Sequence, residues 1–413
     1  MKLHTGKLFW PSTLPVVAEY PVLDCDLHCE VLIVGGGVGG ALCAHLLAER
    51  GIDAILVERD RIAEGSTIAS TGLLQYASDK TLASMIRTFG EEPAVHFYRL
   101  SQTALERLKE ISNRLEGSAR LTERSSLYLA SSEQDVKALR EECVTLQRFG
   151  LPAIWWSAAD LEERFPFRYP GAIYAGGDAE MNPYAFVHGL VQKAAQLGVR
   201  IFERSNMNGS ERTEGGRILC RCGKGRVTAR HVIWATGYET QQFKKESGAH
   251  LRASYVTVTE PSASLNDWFE RCLIWETARP YLYMRTTTDG RIIAGGLDEL
   301  LPGGKLPEGR EIRQCERLLT EIHRRFPDQE GLTARFGWGA VFGESRDGLP
   351  FIGPHPNYPN FYFLEGYGGN GTVCSMIAAE MIVDELTGIR REDMAMFSLM
   401  RSSKPKPVPA RLQ

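Results

Sequence analysis

Apolar residues along this chain recur either at every second position or with the three-and-four spacing of a helix, and the switches between the two mark out its elements. Cys29 with Glu30 to Val34 is a short apolar run that predicts a strand. Ala41 to Arg50 carries helical spacing, Gly51 stops it, and Ile52 to Glu58 is a second apolar run. The three together predict a β-α-β unit. Residues 1–29 are mixed in polarity and interrupted by Pro11, Pro15 and Pro21, which predicts an extended arm.

The spacing is helical again from Asp79 to Glu116, SSLYLASS predicts a strand, and Glu133 to Phe149 predicts a helix. In SAADLEERFP, Ser157 is placed as an N-cap with Asp160 completing a capping box and Pro166 ending the helix. A helix over YAFVHGLVQKAAQLG and a strand over VRIFERSNM precede a hairpin and the strand HVIWATG. Leu251 to Phe336 mixes strands, among them YLYMRTT and RIIAGG across the turn Asp289-Gly290, with a helix near Glu311 to Phe326. The strand NFYFLEG, a Gly-rich turn and the helix TVCSMIAAEMIVDELTG, stopped at Gly388, close the pattern. SSKPKPVPARLQ reads as a loose tail.

Composition narrows the picture. A chain of 413 residues is long enough for about two or three domains at roughly 100–200 residues each. The charge of −3, from 48 basic and 51 acidic side chains, lacks the basic surplus needed to hold a phosphate backbone, so nucleic acid is not an expected partner. No run reaches the roughly 18 apolar residues of a membrane span, and MKLHTGKLFWPSTLP lacks a signal peptide's apolar core, which together predict a cytoplasmic protein. Nine cysteines without a paired pattern fit a reducing compartment, and CDLHC has no second ligand pair elsewhere, so no metal site is expected.

The chemistry is carried by glycines. VLIVGGGVGGALCAHLLAERGIDAILVE contains GxGxxG as Gly35, Gly37 and Gly40, between a predicted strand and a predicted helix. The first glycine permits the tight turn, the second lets a pyrophosphate approach the backbone, and the third lets helix and strand pack closely; Glu58, ending the next strand, is placed to accept from a ribose hydroxyl. NAD and FAD share this unit. GSTIASTGLLQY, from Gly65 to Tyr76, offers small and hydroxyl residues to phosphate and a flat ring, or is an ordinary loop. VIWATGY supplies Thr236 and Gly237, and EGYGGNGTVCSM places Gly366, Gly368, Gly369 and Gly371 before a helix whose N-terminus suits the charge that develops on a reduced flavin.

In this order the motifs resemble the FAD-dependent D-amino acid oxidase superfamily, which includes glycine oxidase, sarcosine oxidase and D-amino acid dehydrogenases. The resemblance runs from about Asp26 to Gly388 and also rests on DAEMNPYAFVHGLVQKAAQLGVRIFE, WATG, DGRIIAGG and DGLPFIG. It implies an α/β fold: a Rossmann-like FAD-binding domain from residues 30–78, 172–248 and 336–390, and an α+β substrate domain on a large antiparallel sheet from residues 79–171 and 249–335. Residues 1–29 are then an arm and 391–413 a tail. The resemblance carries ribose and adenine contacts onto Glu58 and Arg59, pyrophosphate contacts onto Gly35, Gly37, Gly40, Ser66 and Thr67, and an adenine-edge contact onto Met207. Thr236 and Gly237 join the FAD site. Ring contacts fall on Ser70, Thr71, Gly72 and Leu73 and on Gly368, Gly369, Asn370, Gly371 and Thr372.

The implied reaction is oxidation of a small amine or amino acid at a C–N bond by hydride transfer to a non-covalently held FAD, which oxygen or another acceptor then reoxidises. A 2-hydroxy acid or alcohol dehydrogenase, or a flavin-binding subunit or sensor without turnover, fits the same scaffold. Neither GESRDGLPFIG nor GSTIASTGLL supplies a residue for covalent attachment, and Cys374 and His188 read as packing residues. The sequence departs from the family's amino-acid oxidisers at one place. Their carboxylate-binding arginine would fall at Phe342, and Arg346 sits beside Asp347, where a surface or structural role is expected. Tyr283 and Arg285 share one face of a predicted strand and are candidates to bind an anion; Phe342, Tyr367 and Tyr76 are further pocket candidates.

Overall fold

The computed structural model describes residues 2–244, 249–301, 304–329, 331–365 and 368–401. Among these, the strands form two sheets, of eight and ten strands. The smaller has a parallel centre in the order Tyr358–Glu365, Gly225–Trp234, Asp26–Val34, Ala54–Val57 and Arg200–Phe202. These apolar strands are covered on both faces, as parallel strands require. Val31, Ile33 and Leu56 pack under the helices Val38–Glu49, Pro183–Gln196 and Gly371–Leu386. Leu32, Val34, Ile55 and Val57 face the other way, toward Cys220, Cys222 and Ile218 of the meander Met207–Arg212 and Ile218–Cys222.

The larger sheet runs His4–Lys7, Ala334–Ser345, Ala249–Thr259, Ile292–Leu300, Leu282–Thr286, Leu273–Glu276, Thr122–Leu129, Gly171–Glu180 and Leu73–Leu74, with Ala153–Ser157 also on Gly171–Glu180. Its neighbours are antiparallel except for Leu273–Glu276 beside Thr122–Leu129. Alternation assigns its faces. Tyr255, Met284 and Val341 pack toward Leu318 and Ile322 of the helix Arg310–Arg325, whereas Tyr283, Trp275 and Phe342 face the cleft between the sheets.

Strand pairing cuts across the domain segments read from the sequence. Leu73–Leu74, Gly171–Glu180 and Ala334–Ser345 were assigned wholly or mostly to the FAD-binding segments, yet all three pair within the larger sheet. Residues 1–29 are more than an arm, because His4–Lys7 adds an edge strand against Gly337–Ala340. The helical stretch from Asp79 is divided into Leu82–Phe89 and Glu91–Ser112 at Gly90, whose φ of 91° lies outside helical space. Ser157 and Asp160 do form the capping box. The tail SSKPKPVPARLQ lies outside the described residues.

DGLPFIG forms the edge of the smaller sheet, where Phe351–His355 pairs antiparallel with Tyr358–Glu365. Asp347 is buried there against Arg401, which donates to its two oxygens at 2.7 and 2.9 Å. Burial alone would raise this carboxyl, but the guanidinium outweighs it and holds the group below the usual carboxylate range. Arg346 is exposed and directs its Nε to His250. Among the described residues no helix is long and apolar enough to cross a membrane.

Candidate cofactor and substrate cleft

A cleft of about 820 Å³ opens where the parallel strands end. Val34, Val57 and Trp234, each the last residue of its strand, form one wall, and the face of the larger sheet carrying Ser254, Tyr283 and Phe342 forms the other. Carboxyl ends of parallel strands are where open α/β sheets bind their ligands.

The three glycines of the first turn do different work. Gly35 has φ 110°, and a Cβ there would stand 2.5 Å from the Ala235 carbonyl. A Cβ on Gly40 would lie 1.9 Å from the Gly35 carbonyl, so this glycine is needed for helix-to-turn packing and does not itself line the cleft. Gly37 differs: a Cβ would meet only Thr67 Oγ1, at 3.3 Å, and the residue borders the cleft as N-cap of Val38–Glu49. The first turn of that helix contains no acidic residue, nor does that of Gly371–Leu386, whose start also lines the cleft. Two helix N-termini whose own first turns carry no acidic side chain suit a pyrophosphate and an electron-rich ring edge.

Glu58 lines the cleft and is held from both sides. Its Oε2 accepts from Gly36 N–H at 2.6 Å and its Oε1 from Asp60 N–H at 2.8 Å, while burial raises its carboxyl above the ordinary value. Arg59 pairs with Asp60 and Glu239 at the rim. Thr67 Oγ1 accepts from Val38 N–H at 3.0 Å, fastening the 66–70 segment to the helix start. Trp338 Nε1 and Trp10 Nε1 donate to the carbonyls of Ala69 and Ser70, at 2.9 and 2.7 Å.

The cleft brings together Gly35, Gly37, Glu58, Arg59, Ser66, Thr67, Ser70, Thr71, Leu73, Met207, Thr236, Gly237 and Gly368 to Thr372. Gly72 stands behind its surface with φ 73°, where a Cβ would lie 2.2 Å from the Met181 carbonyl. A helix N-terminus facing outward, glycine lips and a carboxylate at the end of the second strand fit the dinucleotide portion of FAD.

Of the substrate-pocket candidates, Tyr283 and Phe342 line the cleft. Arg285 does not, which corrects its reading as an anion ligand. It is 3% exposed, its Nη1 lies 3.2 Å from Glu180 Oε2, and its Nε and Nη2 donate to the carbonyls of Thr71 and Met181, both at 2.8 Å. Burial depresses its pKa, and Glu180 opposes that shift. Tyr76 is also displaced from the pocket, buried against Tyr98 with its hydroxyl on the Pro152 carbonyl. Tyr367 lies outside the described residues. His188 is buried against Tyr184 and lowered to about 4 by that burial, and Cys374 is buried with its thiol pushed up to about 12.

Several lining residues escaped the sequence reading. Tyr281, the residue just before the strand Leu282–Thr286, lines the cleft together with Tyr283 two positions on, a period-two signal present in YLYMR. Trp275, Ser254 and Asp79 carried no such signal, since chain folding alone brings them to the cleft. The same holds for Lys2 to Gly6, in and just before the N-terminal strand.

Comparison with known proteins agrees with this geometry. The family described as "FAD dependent oxidoreductase" (DAO) matches residues 30–385. Gamma-glutamylputrescine oxidoreductase of Escherichia coli (strain K12) is 24% identical over 400 residues, covering 94% of this chain and 90% of the relative. Glycine oxidase of Bacillus subtilis (strain 168) is 25% identical over 362 residues, covering 86% and 92%. The crystal structure of glycine oxidase from Geobacillus kaustophilus superposes with a TM-score of 0.77 at 20% identity, covering 91% of this chain and 99% of that one.

Proposed function

The chain belongs to the FAD dependent oxidoreductase family, and from that premise we propose that it oxidises a small amine or amino acid at a C–N bond. The observation that carries this reading is one continuous cleft with a dinucleotide lip at one end and an aromatic pocket at the other. FAD, when bound, supplies the two-electron acceptor. Gly35, Gly37 and the helix they open would hold its pyrophosphate, Glu58 its ribose, and Ser70 to Leu73 with Gly368 to Thr372 its ring system.

The remaining work belongs to side chains of the larger sheet. Trp275, Tyr281, Tyr283 and Phe342 present apolar surface that excludes water and orients the substrate's C–H bond. Oxidation removes a hydride from carbon as the nitrogen lone pair forms the C=N bond, and the amine proton leaves to solvent. A substrate bound as the neutral amine needs no protein base. Among the described residues, His4 is the only histidine lining the cleft, and it is engaged with the Glu64 carbonyl.

The relatives named for gamma-glutamylputrescine and glycine oxidation support an amine or amino acid over an alcohol. The test is anaerobic bleaching of the flavin by amines, amino acids and 2-hydroxy acids offered separately. Amines or amino acids are expected to bleach it. Bleaching by hydroxy acids alone would overturn the proposal, and a flavin that none of them reduces would point to a protein without its own turnover.

A further inference from the structure

The aromatic end of the cleft carries an acid where a binder of carboxylates would carry a base. Asp79 lines this end, and its Oδ2 accepts from Gly369 N–H at 2.9 Å, which sets the carboxylate on the Gly368-Gly369 turn. Among the described residues no lysine, arginine or histidine forms an ion pair with it.

Two arginines, Arg252 and Arg279, act on Asp79 from a distance, and each is engaged elsewhere. Arg252 is taken by Glu344, at 2.7 Å. Arg279 is exposed, donates to the carbonyls of Glu276, Thr277 and Ala278, and lies 4.8 Å over the Tyr281 ring. Asp298 adds a second carboxyl, with Oδ1 buried and without a hydrogen-bond partner. Burial pushes this group up to about 6; the Ser254 hydroxyl opposes the shift and the Asp79 charge adds to it. Asp79 is itself raised, by burial first and by Glu344 as well, while the Gly369 N–H and the more distant Arg279 and Arg252 oppose the shift. A cation entering here would meet Asp79 at the lining of the cleft.

The walls favour the same ligand. Tyr281 and Tyr283 stand with ring centroids 5.7 Å apart, and Trp275 is stacked on Tyr128 at 3.6 Å. Ring faces attract ammonium groups and offer nothing to a carboxylate. The cleft's remaining cations lie elsewhere. Arg59 is paired at the nucleotide rim, and Lys2 comes just before the N-terminal strand His4–Lys7, which lies on the opposite side of Ala334–Ser345 from the strand that carries Arg252.

We infer that Asp79 is a specificity-determining residue that receives a second positive charge, so that the preferred substrate is an amine bearing an ammonium group at its far end. This rests on the reading of the protein as an amine oxidiser. It names the substrate class and the residue that selects it.

The experiment uses the FAD-loaded enzyme and three probes of equal chain length: 1,4-diaminobutane, 1-aminobutane and 4-aminobutanoate. Half-saturation is measured from anaerobic flavin reduction, and binding to the oxidised enzyme from the flavin difference spectrum. The diamine is expected to bind most tightly. Asp79→Asn should lower its advantage over the monoamine by about 10- to 100-fold, the range a charge-assisted hydrogen bond carries, and Asp79→Glu should restore most of it. An unchanged ratio in Asp79→Asn, with FAD retained, overturns the inference. So does a preference for 4-aminobutanoate that Lys2→Met removes. If none of the three reduces the flavin, the difference spectra still decide whether Asp79 selects the dication, and bleaching by other amines or amino acids decides the amine reading separately.

Discussion

Arg285 and Glu180 form a buried ion pair, each with a side chain 3% exposed, behind the loop that carries Thr71. Glu180 also accepts from Arg124 at 3.0 Å, and Arg285 ties the carbonyls of Thr71 and Met181 together. The pair is therefore a brace for the ring-facing loop. Removing one partner leaves a buried charge uncompensated, which costs about 3–5 kcal/mol. Arg285→Ala is expected to lower the unfolding midpoint and to release FAD more readily, both readable by thermal denaturation and flavin fluorescence. Unchanged stability with slower substrate reduction would instead put Arg285 in the substrate site.

Gly37 and Gly40 should respond differently to the same methyl group. Gly40→Ala places Cβ 1.9 Å from a backbone oxygen, so the helix must move; loss of folded protein or of several kcal/mol is expected. Gly37→Ala meets only a threonine hydroxyl at 3.3 Å and should fold. It should nevertheless weaken FAD by roughly tenfold or more, because the methyl occupies the approach of the pyrophosphate. Denaturant midpoints and FAD titration of apoprotein separate the two effects.

Phe342 lines the pocket on a strand where it is paired with Arg252 of Ala249–Thr259. Phe342→Arg would introduce a guanidinium facing the substrate. The expected result is a shift in selectivity of about tenfold or more toward amino carboxylates, since a bidentate guanidinium–carboxylate pair is a strong contact. Flavin reduction by matched amines and amino acids measures it; no change in their ratio would remove Phe342 from the substrate's surroundings.

Asp178 is fully buried, accepts from Tyr76 N–H at 3.0 Å through Oδ1 and leaves Oδ2 without a hydrogen bond. Burial pushes its carboxyl up to about 7, against an unfolded value of about 3.9. Between those values the folded chain keeps a proton that the unfolded chain has released. Its contribution to stability is thus complete below about pH 4 and is lost as pH rises through about 7, on the order of a few kcal/mol in all. Asp178→Asn should flatten this slope, as seen in urea midpoints from pH 5 to pH 8. An equally steep slope in the variant would assign the pH dependence to other groups.

The nucleotide end of the cleft was legible before any coordinates because its chemistry is local. Gly35, Gly37, Gly40 and Glu58 lie within one β-α-β unit, and the turn geometry they encode depends on neighbours a few residues away. The substrate end was not legible, because its residues meet only through long-range pairing. Arg285 and Tyr283 do share a strand face, as period two requires. The sheet delivers one to the cleft and the other to Glu180, a distinction set by what packs against each end of that face.

Chain order and residue type thus determine that this protein holds a dinucleotide on a parallel sheet, since backbone turns, helix starts and strand periodicity are written in short stretches. Tertiary structure decides which charges are free to meet a substrate. Phe342, Asp79 and Tyr281 come from three distant segments, and whether a buried charge is available depends on the partners that folding brings beside it.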